Sequence, residues 1–184
     1  MDDLKQAING ESIANRKYDL FSQKAENEGY LMIAKLFKAI AEAEAIHVKN
    51  HLRALEMLTK KTFELKEIAT IKDEELTENV NSTRNNLIQA IAGETYEFRK
   101  MYKSFKKNAK REDFYLAELS FDLARKAEIV HSKLFIKYLK KLDKNKNFKD
   151  IDIFVCQICG NVELEAAPKI CPNCEHDQSF FKKI

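Results

Sequence analysis

The chain has 184 residues, a net charge of +3, and charged side chains at 33% of its positions. Its 4 Gly and 2 Pro are few, which is typical of long helices with solvated faces rather than of β-rich or disordered chains. The charge is too small to favour a nucleic-acid partner. No stretch reaches the about 18 apolar residues of a membrane span, and the N-terminus has no signal-like apolar run. We therefore expect a cytoplasmic protein without a membrane partner.

Helical periodicity dominates the first third of the chain. Apolar residues recur at helical spacing over about 4–28 and 31–60, and Gly29 breaks the pattern between them. So short a break predicts two antiparallel neighbouring helices. The polar residues on their apolar stripes are Glu11, Glu44, His47 and His51. We interpret His51 as a capped or solvated histidine, because it lacks a partner at ligand spacing.

A long connection separates these helices from a second pair. Residues 61–81 have weaker periodicity and predict a crossover with room for a short helix. Ser82 or Thr83 can cap a third helix that runs to about Ala109, and a fourth helix covers about 112–142. The polar residues on the apolar stripes of this pair are Glu94, Glu97, Glu128 and His131.

An internal repeat relates the two pairs. Gly10-Glu11-Ser12 recurs as Gly93-Glu94-Thr95, and Glu44-Ala45-Ile46-His47 recurs as Glu128-Ile129-Val130-His131. Each half is therefore a helix with one inward Glu, followed by a helix with Glu-x-x-His. Two such hairpins joined by a crossover predict a four-helix bundle.

The inward polar residues form the ligand inventory of a two-metal carboxylate site. The candidate ligands are Glu11, Glu44, His47, Glu94, Glu97, Glu128 and His131. Carboxylate oxygens suit iron or manganese, and imidazole adds a ligand without adding charge. The five carboxylates nearly balance two divalent ions, which makes their burial tolerable. A surface position is the alternative for any single Glu, but it does not explain the repeated set.

The two halves differ at one candidate ligand. Glu97 corresponds in the repeat to Ala14, so the third helix offers a carboxylate that the first helix lacks. One ion then has a choice of ligand, for example between Glu97 and His47. We interpret this asymmetry as functional.

The C-terminal part has a different composition. Lys, Asn and Asp dominate residues 143–150, which we interpret as a linker between a bundle at 1–142 and a small domain at 151–184. The small domain holds every cysteine of the chain, as two CxxC pairs: Cys156, Cys159, Cys171 and Cys174. Such clustering without an export signal favours metal binding over disulfides. The spacing predicts a tetrahedral four-thiolate site and leaves zinc and iron both open.

The two CxxC pairs are followed by different residues. Gly160 follows the first pair and supplies permissive backbone, whereas Glu175 follows the second. We therefore expect the second turn to be distorted, with no ligand lost.

A carboxylate-rich bundle followed by a CxxC…CxxC tail resembles the rubrerythrin family over nearly the whole chain. The repeated Gly-Glu and Glu-x-x-His motifs, Glu97 and the cysteine pairs carry the resemblance. It implies a mainly α fold: a ferritin-like four-helix bundle with a long crossover between the second and third helices, and a small β-rich rubredoxin-like domain. It also implies two irons in the bundle, which an oxo group can bridge, and one iron in the tail, with zinc as the alternative there.

The resemblance also implies an activity. In such proteins the di-iron centre reduces hydrogen peroxide to water, as an oxidative-stress defence. The tail iron relays electrons to it, ultimately from NAD(P)H through a separate reductase or a rubredoxin. By resemblance, the bridging ligands are Glu44 and Glu128, the terminal ligands of one iron are Glu11 and Glu97, and those of the other are Glu94 and His131. On reduction, the first iron exchanges Glu97 for His47. Tyr18 and Tyr102 match family tyrosines near the centre. We expect four residues to be catalytic: Glu97, His47, Tyr18 and Tyr102.

The resemblance implies a head-to-tail homodimer, because the two metal sites of one subunit are expected to lie too far apart for fast electron transfer. Two other functions stay open. One is a ferroxidase that handles iron as ferritin does. The other is a zinc-ribbon binding module, since residues 133–149 hold seven Lys against one Asp; the same lysines also fit a solvated helix end or a surface that docks an acidic electron donor.

Overall fold

The computed structural model describes residues 1–145 and 147–184. Four long helical segments lie side by side in it, and the predicted mainly α, ferritin-like architecture is confirmed. The first hairpin consists of α1 (Asp2–Asn27) and α2 (Leu31–Thr59). The second consists of a composite third helix and α6 (Tyr115–Asp143). Within each hairpin the two helices pack along their length, as the short connections predict.

Left-handed backbone at one residue closes each hairpin. Gly29 has φ 81° between α1 and α2, where the sequence predicted the break. Asp113 has φ 56° between the third helix and α6, and Asp is among the few side chains that tolerate this region. The fourth helix therefore begins at Tyr115, three residues later than predicted.

The long crossover carries two short helical pieces. A 3₁₀ turn covers Leu65–Glu67, and α3 covers Asp73–Glu78. The Arg16 guanidinium of α1 donates two hydrogen bonds of 2.8 Å to the Asp73 carboxylate, which fixes the start of α3 on the bundle. The crossover and its short helix agree with the sequence-based expectation.

The third helix is interrupted, contrary to the prediction of one continuous helix. It consists of α4 (Thr83–Tyr96), a π-helical segment (Glu97–Met101) and α5 (Tyr102–Arg111). Ser82 caps α4 by accepting a hydrogen bond from the backbone N–H of Asn85 at 3.4 Å. In the π-helical segment the carbonyl of Phe98 accepts a 3.0 Å hydrogen bond from Nε of Arg125 on α6. Such π-helical turns inside α-helices are frequent at functional sites.

A small three-stranded antiparallel sheet ends the chain. Its strands are β1 (Ile153–Cys156), β2 (Val162–Leu164) and β3 (Phe181–Lys183), in the order β2-β1-β3. Val155 of β1 pairs with Val162 on one side and Lys182 on the other. The predicted linker 143–150 overlaps the last residue of α6, and its Lys146 lies outside the described residues.

The sheet shares a core with the bundle. Ile153, Val155 and Val162 are fully buried in the same apolar cluster as Phe37 and Ile40 of α2. The tail therefore packs directly on the bundle of its own chain. Among the described residues, no helix is both long enough and apolar enough to cross a membrane.

Candidate metal centres

Six of the seven predicted bundle ligands meet in the middle of the four helices. They are Glu11 from α1, Glu44 and His47 from α2, Glu94 from α4, and Glu128 and His131 from α6. Each of these side chains is 1% exposed or less, so the layer is shielded from bulk solvent. Helical spacing explains the pairing, because residues three apart on one helix lie on the same face.

The six side chains divide into two overlapping groups of four. One group contains Glu11 and His47, the other contains Glu94 and His131, and both contain Glu44 and Glu128. In each group the potential ligand atoms lie within 4.8 Å of one another. Two adjacent ions that share two carboxylates would be held by this arrangement. The bridging roles that the resemblance implies for Glu44 and Glu128 stay a prediction.

The histidine rings aim one nitrogen at the carboxylates. His47 Nδ1 lies 2.9 Å from a Glu44 oxygen and 2.8 Å from Glu128 Oε1. His131 Nδ1 lies 2.7 Å from Glu128 Oε2 and 3.4 Å from Glu94 Oε2. The two rings stack with their centroids 5.8 Å apart. Each Nδ1 is thus placed as a ligand atom for one of the two groups.

Buried polar atoms without hydrogen-bond partners show that the residues fit metal ions. Among the described residues, these orphaned atoms include Glu11 Oε2, both Glu44 oxygens, Glu94 Oε2, Glu128 Oε1 and His47 Nδ1. A buried polar atom left unpaired costs about 1–3 kcal/mol, and a charged one costs more. Orphaned lone pairs that converge on one space are the expected environment of cations with oxygen and nitrogen ligands. The donor set suits two divalent ions.

Glu11 and Glu94 ionise less readily when no metal is bound, because they are buried beside other carboxylates. Burial and the neighbouring Glu44 and Glu128 raise the pKa of Glu11 to about 8, and they raise the pKa of Glu94 well above its usual range. Glu128 differs: burial opposes its ionisation as well, but His47 and His131 flank it and lower its pKa well below the usual range. Burial also opposes the charged form of both histidines, yet the surrounding carboxylates raise their pKa well above 6.5.

These shifts predict that the metal-free protein loses stability as the pH rises. A Glu whose pKa is raised from 4.5 to about 8 holds a proton in the fold that the unfolded chain has already lost, so its contribution fades across that window. The histidines act in the same direction, because the stabilisation that they contribute is lost as the pH passes their raised pKa values. Glu128 acts oppositely, but only below pH 4.5.

Thermal unfolding from pH 5 to pH 9 checks this prediction. We expect the Tm of metal-free protein to fall by about 2–4 °C for each kcal/mol lost. Metal-loaded protein should change far less, because bound ions keep the carboxylates ionised and the imidazoles neutral. The difference in Tm between metal-loaded and metal-free protein should therefore increase with pH. A constant or decreasing difference would contradict these pKa assignments.

Glu97, the seventh predicted ligand, lies outside both groups. It is the first residue of the π-helical segment and is only partly buried. Burial and the charges of Glu11 and Glu128 raise its pKa well above the usual range, so it lies within electrostatic reach of the cluster. His47 belongs to the group on this side. The structure therefore has His47 in the ligand cluster and Glu97 outside it.

Both predicted tyrosines contact a candidate ligand. Tyr18 donates a 2.5 Å hydrogen bond to Glu94 Oε1, and Tyr102 donates one to Glu11 Oε1. Each hydroxyl thereby holds one oxygen of its carboxylate and leaves the other, Oε2, without a hydrogen bond in the cluster. The pKa of each tyrosine is raised well above 10 by burial and by the nearby carboxylates, which keeps the hydroxyl a donor.

The interpretation of His51 as a capped or solvated residue is wrong. Its ring is fully buried, with Nδ1 2.7 Å from Ser120 Oγ and Nε2 3.0 Å from the Tyr102 hydroxyl. These partners come from α6 and α5, so no spacing within α2 could reveal them. The position of His51 on the apolar inner stripe of its helix was the one sequence feature that indicated a buried ring.

The four cysteines also meet as predicted. Their sulfurs lie within 4.8 Å of one another, with Cys156 3.6 Å from Cys174 and Cys159 3.7 Å from Cys171. In the part of the chain that the structure describes, no disulfide joins them. A tight cluster of four thiols suits one tetrahedral metal ion.

The expected distortion of the second cysteine turn is absent. The N–H of Gly160 donates to Cys156 O, and the N–H of Glu175 donates to Cys171 O, both at 2.9 Å. Gly160 has φ 74° and Glu175 has φ 63°, so the second turn adopts the left-handed conformation despite its side chain. The exposure of Glu175 leaves that side chain free of steric conflict.

The first cysteine turn sits on the two ligand histidines. His47 Nε2 lies 3.2 Å from the carbonyl oxygen of Cys159, and His131 Nε2 lies 3.0 Å from that of Gly160. Asn50 also donates a 2.8 Å hydrogen bond to Ile158 O. Since each Nδ1 faces the carboxylates, each ring links the bundle cluster to the thiolate turn. The expectation that the two sites of one chain lie far apart is therefore wrong.

Comparisons with known proteins agree with this architecture. The family model for rubrerythrin matches residues 2–139, and that for the rubrerythrin rubredoxin-like domain matches residues 154–182. Rubrerythrin-1 of Clostridium acetobutylicum is 34% identical over 98% of this chain and 92% of its own length. Nigerythrin of Nitratidesulfovibrio vulgaris is 32% identical over 98% of this chain and 84% of its own.

Solved structures extend the match to the whole fold. Nigerythrin in a partially reduced state superposes with a TM-score of 0.88, at 30% identity over 100% of this chain and 85% of that one. Its fully reduced, all-ferrous state gives a TM-score of 0.84 at the same identity and coverage. The match of both domain models, together with full-length relatives above 30% identity, shows that this chain belongs to the rubrerythrin family.

Proposed function

We propose that this protein is a non-haem di-iron peroxidase that reduces hydrogen peroxide to water, with electrons entering through an iron held by the four cysteines. One observation carries the proposal: carbonyl oxygens of the thiolate turn contact the two histidines of the carboxylate cluster. A storage protein has no need for such a contact, whereas an electron relay does. The relation to rubrerythrin and nigerythrin supports the same reading.

The donor atoms of the two sites favour the proposed metals. Carboxylates and imidazoles would hold two iron ions in the bundle, and four thiolates would hold one in the tail. When bound and reduced, the two irons would supply the two electrons that cleave the O–O bond of peroxide. The remaining tasks belong to the protein: to keep the site dry, to fix the ligands and to connect the two centres.

A short route joins the proposed centres. It runs from the Cys159 sulfur through four covalent bonds to the carbonyl oxygen, and then across one hydrogen bond to His47 Nε2. The Nδ1 of the same ring faces Glu44 and Glu128. His131 offers a parallel route from Gly160 O. Both imidazoles would therefore bind an ion through Nδ1 and contact the thiolate turn through Nε2.

Ligand exchange fits the observed position of Glu97. His47 belongs to the ligand cluster, whereas Glu97 lies outside it on the π-helical segment. We propose that the two side chains alternate as ligands of the same ion with its redox state. Tyr18 and Tyr102 hold Glu94 and Glu11 in place during the exchange, since both tyrosines are fully buried.

The partners of the reaction are also proposals. Electrons would come from NAD(P)H through a separate reductase or a rubredoxin. A head-to-tail homodimer would place one subunit's tail on its partner's bundle. The segment 144–152 between α6 and β1 would then carry the tail to the partner. Within one chain the thiolate turn already contacts His47 and His131, so a partner's tail would have to make the same contacts in its place.

Anaerobic single turnover tests the proposed function. Iron-loaded protein, reduced chemically and freed of reductant, should consume about one peroxide per di-iron site from the two electrons of the bundle, and about half a peroxide more from the one electron of the tail. The visible absorption of the ferric–thiolate tail should then return as electrons leave it. Absent peroxide consumption would overturn the proposal. Rapid growth of ferric mineral with excess Fe²⁺ and oxygen would favour the ferroxidase, and a colourless tail with stoichiometric zinc from iron-replete cells would favour the binding module.

A further inference from the structure

The buried pair His51 and Ser120 stands next to the metal cluster and has no part in the function proposed above. Ser120 is 6% exposed and His51 is fully buried. Their side chains extend a hydrogen-bonded line outward from the cluster: Glu11, Tyr102, His51, Ser120. Every link in this line joins a different helix, so folding alone brings the four groups together.

The directions of these hydrogen bonds follow from counting hydrogens. The Tyr102 hydroxyl has one hydrogen and two polar neighbours, a Glu11 oxygen and His51 Nε2. A bound ion keeps Glu11 ionised, and an ionised carboxylate can only accept, so in metal-loaded protein the hydroxyl must donate to Glu11. The Tyr102 oxygen then accepts from His51, which requires the hydrogen of the neutral ring on Nε2. His51 Nδ1 is left as an acceptor, and Ser120 must donate to it.

The opposite set of directions is unfavourable. A hydrogen on Nδ1 would donate to Ser120, and Nε2 would take the Tyr102 hydrogen. The Tyr102 oxygen would then lie against the Glu11 oxygen with no hydrogen between them, which is repulsive in a dry site. A doubly protonated ring is unfavourable as well, because burial of the ring lowers the pKa of His51 to about 3.

The internal repeat shows that this pair belongs to one half of the site only. The offset of 84 that relates Glu44 to Glu128 relates His51 to Phe135 and Leu36 to Ser120. Phe135 packs edge-on against Tyr18, with ring centroids 5.4 Å apart, at the place where His51 meets Tyr102. Tyr18 therefore has apolar neighbours where Tyr102 has a polar pair. The polar half is also the half that holds His47 and lies near Glu97.

We propose that His51 is a positioning residue which, oriented by Ser120, fixes the Tyr102 hydroxyl as a one-way donor to Glu11. The consequence is local. With Oε1 of Glu11 held by Tyr102, Oε2 is buried without a hydrogen-bond partner and is left free to bind an ion. The ion on the Glu11 side would thus be held by a more rigid carboxylate than the ion on the Glu94 side. This inference goes beyond peroxide reduction and concerns the ligand geometry itself.

The tautomer of His51 tests the inference without turnover. The full chain is loaded with Zn²⁺, which is diamagnetic, and the ring nitrogens are observed by ¹⁵N NMR. We expect a neutral His51 ring with its hydrogen on Nε2. A ring with its hydrogen on Nδ1, or a doubly protonated ring, would overturn the proposal even if the protein proves to be a peroxidase. Conversely, failure of the peroxidase assay would leave this result untouched.

Zinc affinity provides the second arm. His51→Phe copies the other half of the repeat, where Phe already fits beside a tyrosine. The affinity for one of the two bundle ions should fall by roughly 10-fold, and the affinity for the other should not change. Replacing a residue that hydrogen-bonds to a ligand typically costs at least that much metal affinity. His51→Gln keeps a side-chain donor and should restore most of the loss. Phe135→Leu, the matched change beside Tyr18, should have no such selective effect. Unchanged affinities in His51→Phe would show that Tyr102 needs no positioning.

Discussion

Glu128→Gln protein is expected to keep the metal of its tail and to lose both ions of the bundle. Glu128 is shared by the two ligand groups and lies 2.8 Å from His47 Nδ1 and 2.7 Å from His131 Nδ1. Gln keeps the volume and removes the charge that would bridge the ions. Peroxide consumption should fall by at least about 100-fold. Mutating a residue that only hydrogen-bonds to a metal ligand already costs about 10–100-fold in affinity or activity.

Glu94→Gln is the matched control for this prediction. Glu94 is equally buried but belongs to one group only. Its amide variant should therefore retain one bundle ion, held by the group that contains Glu11 and His47. Metal counting on native protein, with circular dichroism to confirm folding, separates the two variants. Equal losses in both would show that Glu128 is not shared between two ions.

The repeated motifs explain why so much of the site could be predicted. Glu11 and Glu94, like Glu44 and Glu128, occupy equivalent places in two halves of one repeat. Helical periodicity places each of them on an inner stripe, so their meeting in the core depends only on the pairing of hairpins. The repeat and the helical periodicity were therefore sufficient for this prediction, without knowledge of any particular contact between distant residues.

The π-helical segment was missed, although the repeat contained a signal for it. Tyr18 follows Glu11 by seven residues, whereas Tyr102 follows Glu94 by eight. Both tyrosines nevertheless reach a carboxylate oxygen in the same way. The third helix must therefore accommodate one extra residue, and the π-helical turn at Glu97–Met101 does so. The residues at these positions are compatible with an ordinary α-helix, so helix propensity alone does not indicate the extra residue.

Contacts between distant elements lie beyond such patterns. The pairing of His51 with Tyr102 and Ser120 depends on how three helices are rotated against each other. The docking of the cysteine turn on His47 depends on where the tail folds back. Neither leaves a periodic trace in the sequence, because a single contact between elements has no spacing to repeat.

Gly160→Ala is expected to separate the two metal centres while leaving each of them loaded. A Cβ at position 160 would lie 2.5 Å from His47 Nε2 and 3.2 Å from the carbonyl oxygen of Ala43. Both neighbours are held in place, since the ring is fixed by the carboxylates and Ala43 O is helix backbone. The cysteine turn must therefore move outward, and its carbonyl contacts to His47 and His131 should be lost.

Electron transfer from the tail should then slow by about 10²-fold, because the transfer depends on a close approach that the added methyl group prevents. Stopped-flow absorbance of the thiolate iron, after peroxide is mixed with fully reduced protein, measures this step. Peroxide consumption by the reduced bundle should keep its wild-type rate, since the carboxylate cluster is untouched. Tail oxidation at the wild-type rate would show that electrons do not cross at the Gly160 contact.

The second cysteine turn supplies the control that separates steric displacement from backbone strain. Glu175 has φ 63°, close to the φ 74° of Gly160, so a Cβ is compatible with this turn where nothing opposes it. Glu175→Ala keeps the same left-handed strain and should leave tail oxidation unchanged. Glu175→Gly removes the strain and should stabilise the tail by about 1 kcal/mol. If Gly160→Ala alone slows the transfer, the cause is the contact with His47, and the tail functions by touching the histidines that hold the bundle metals.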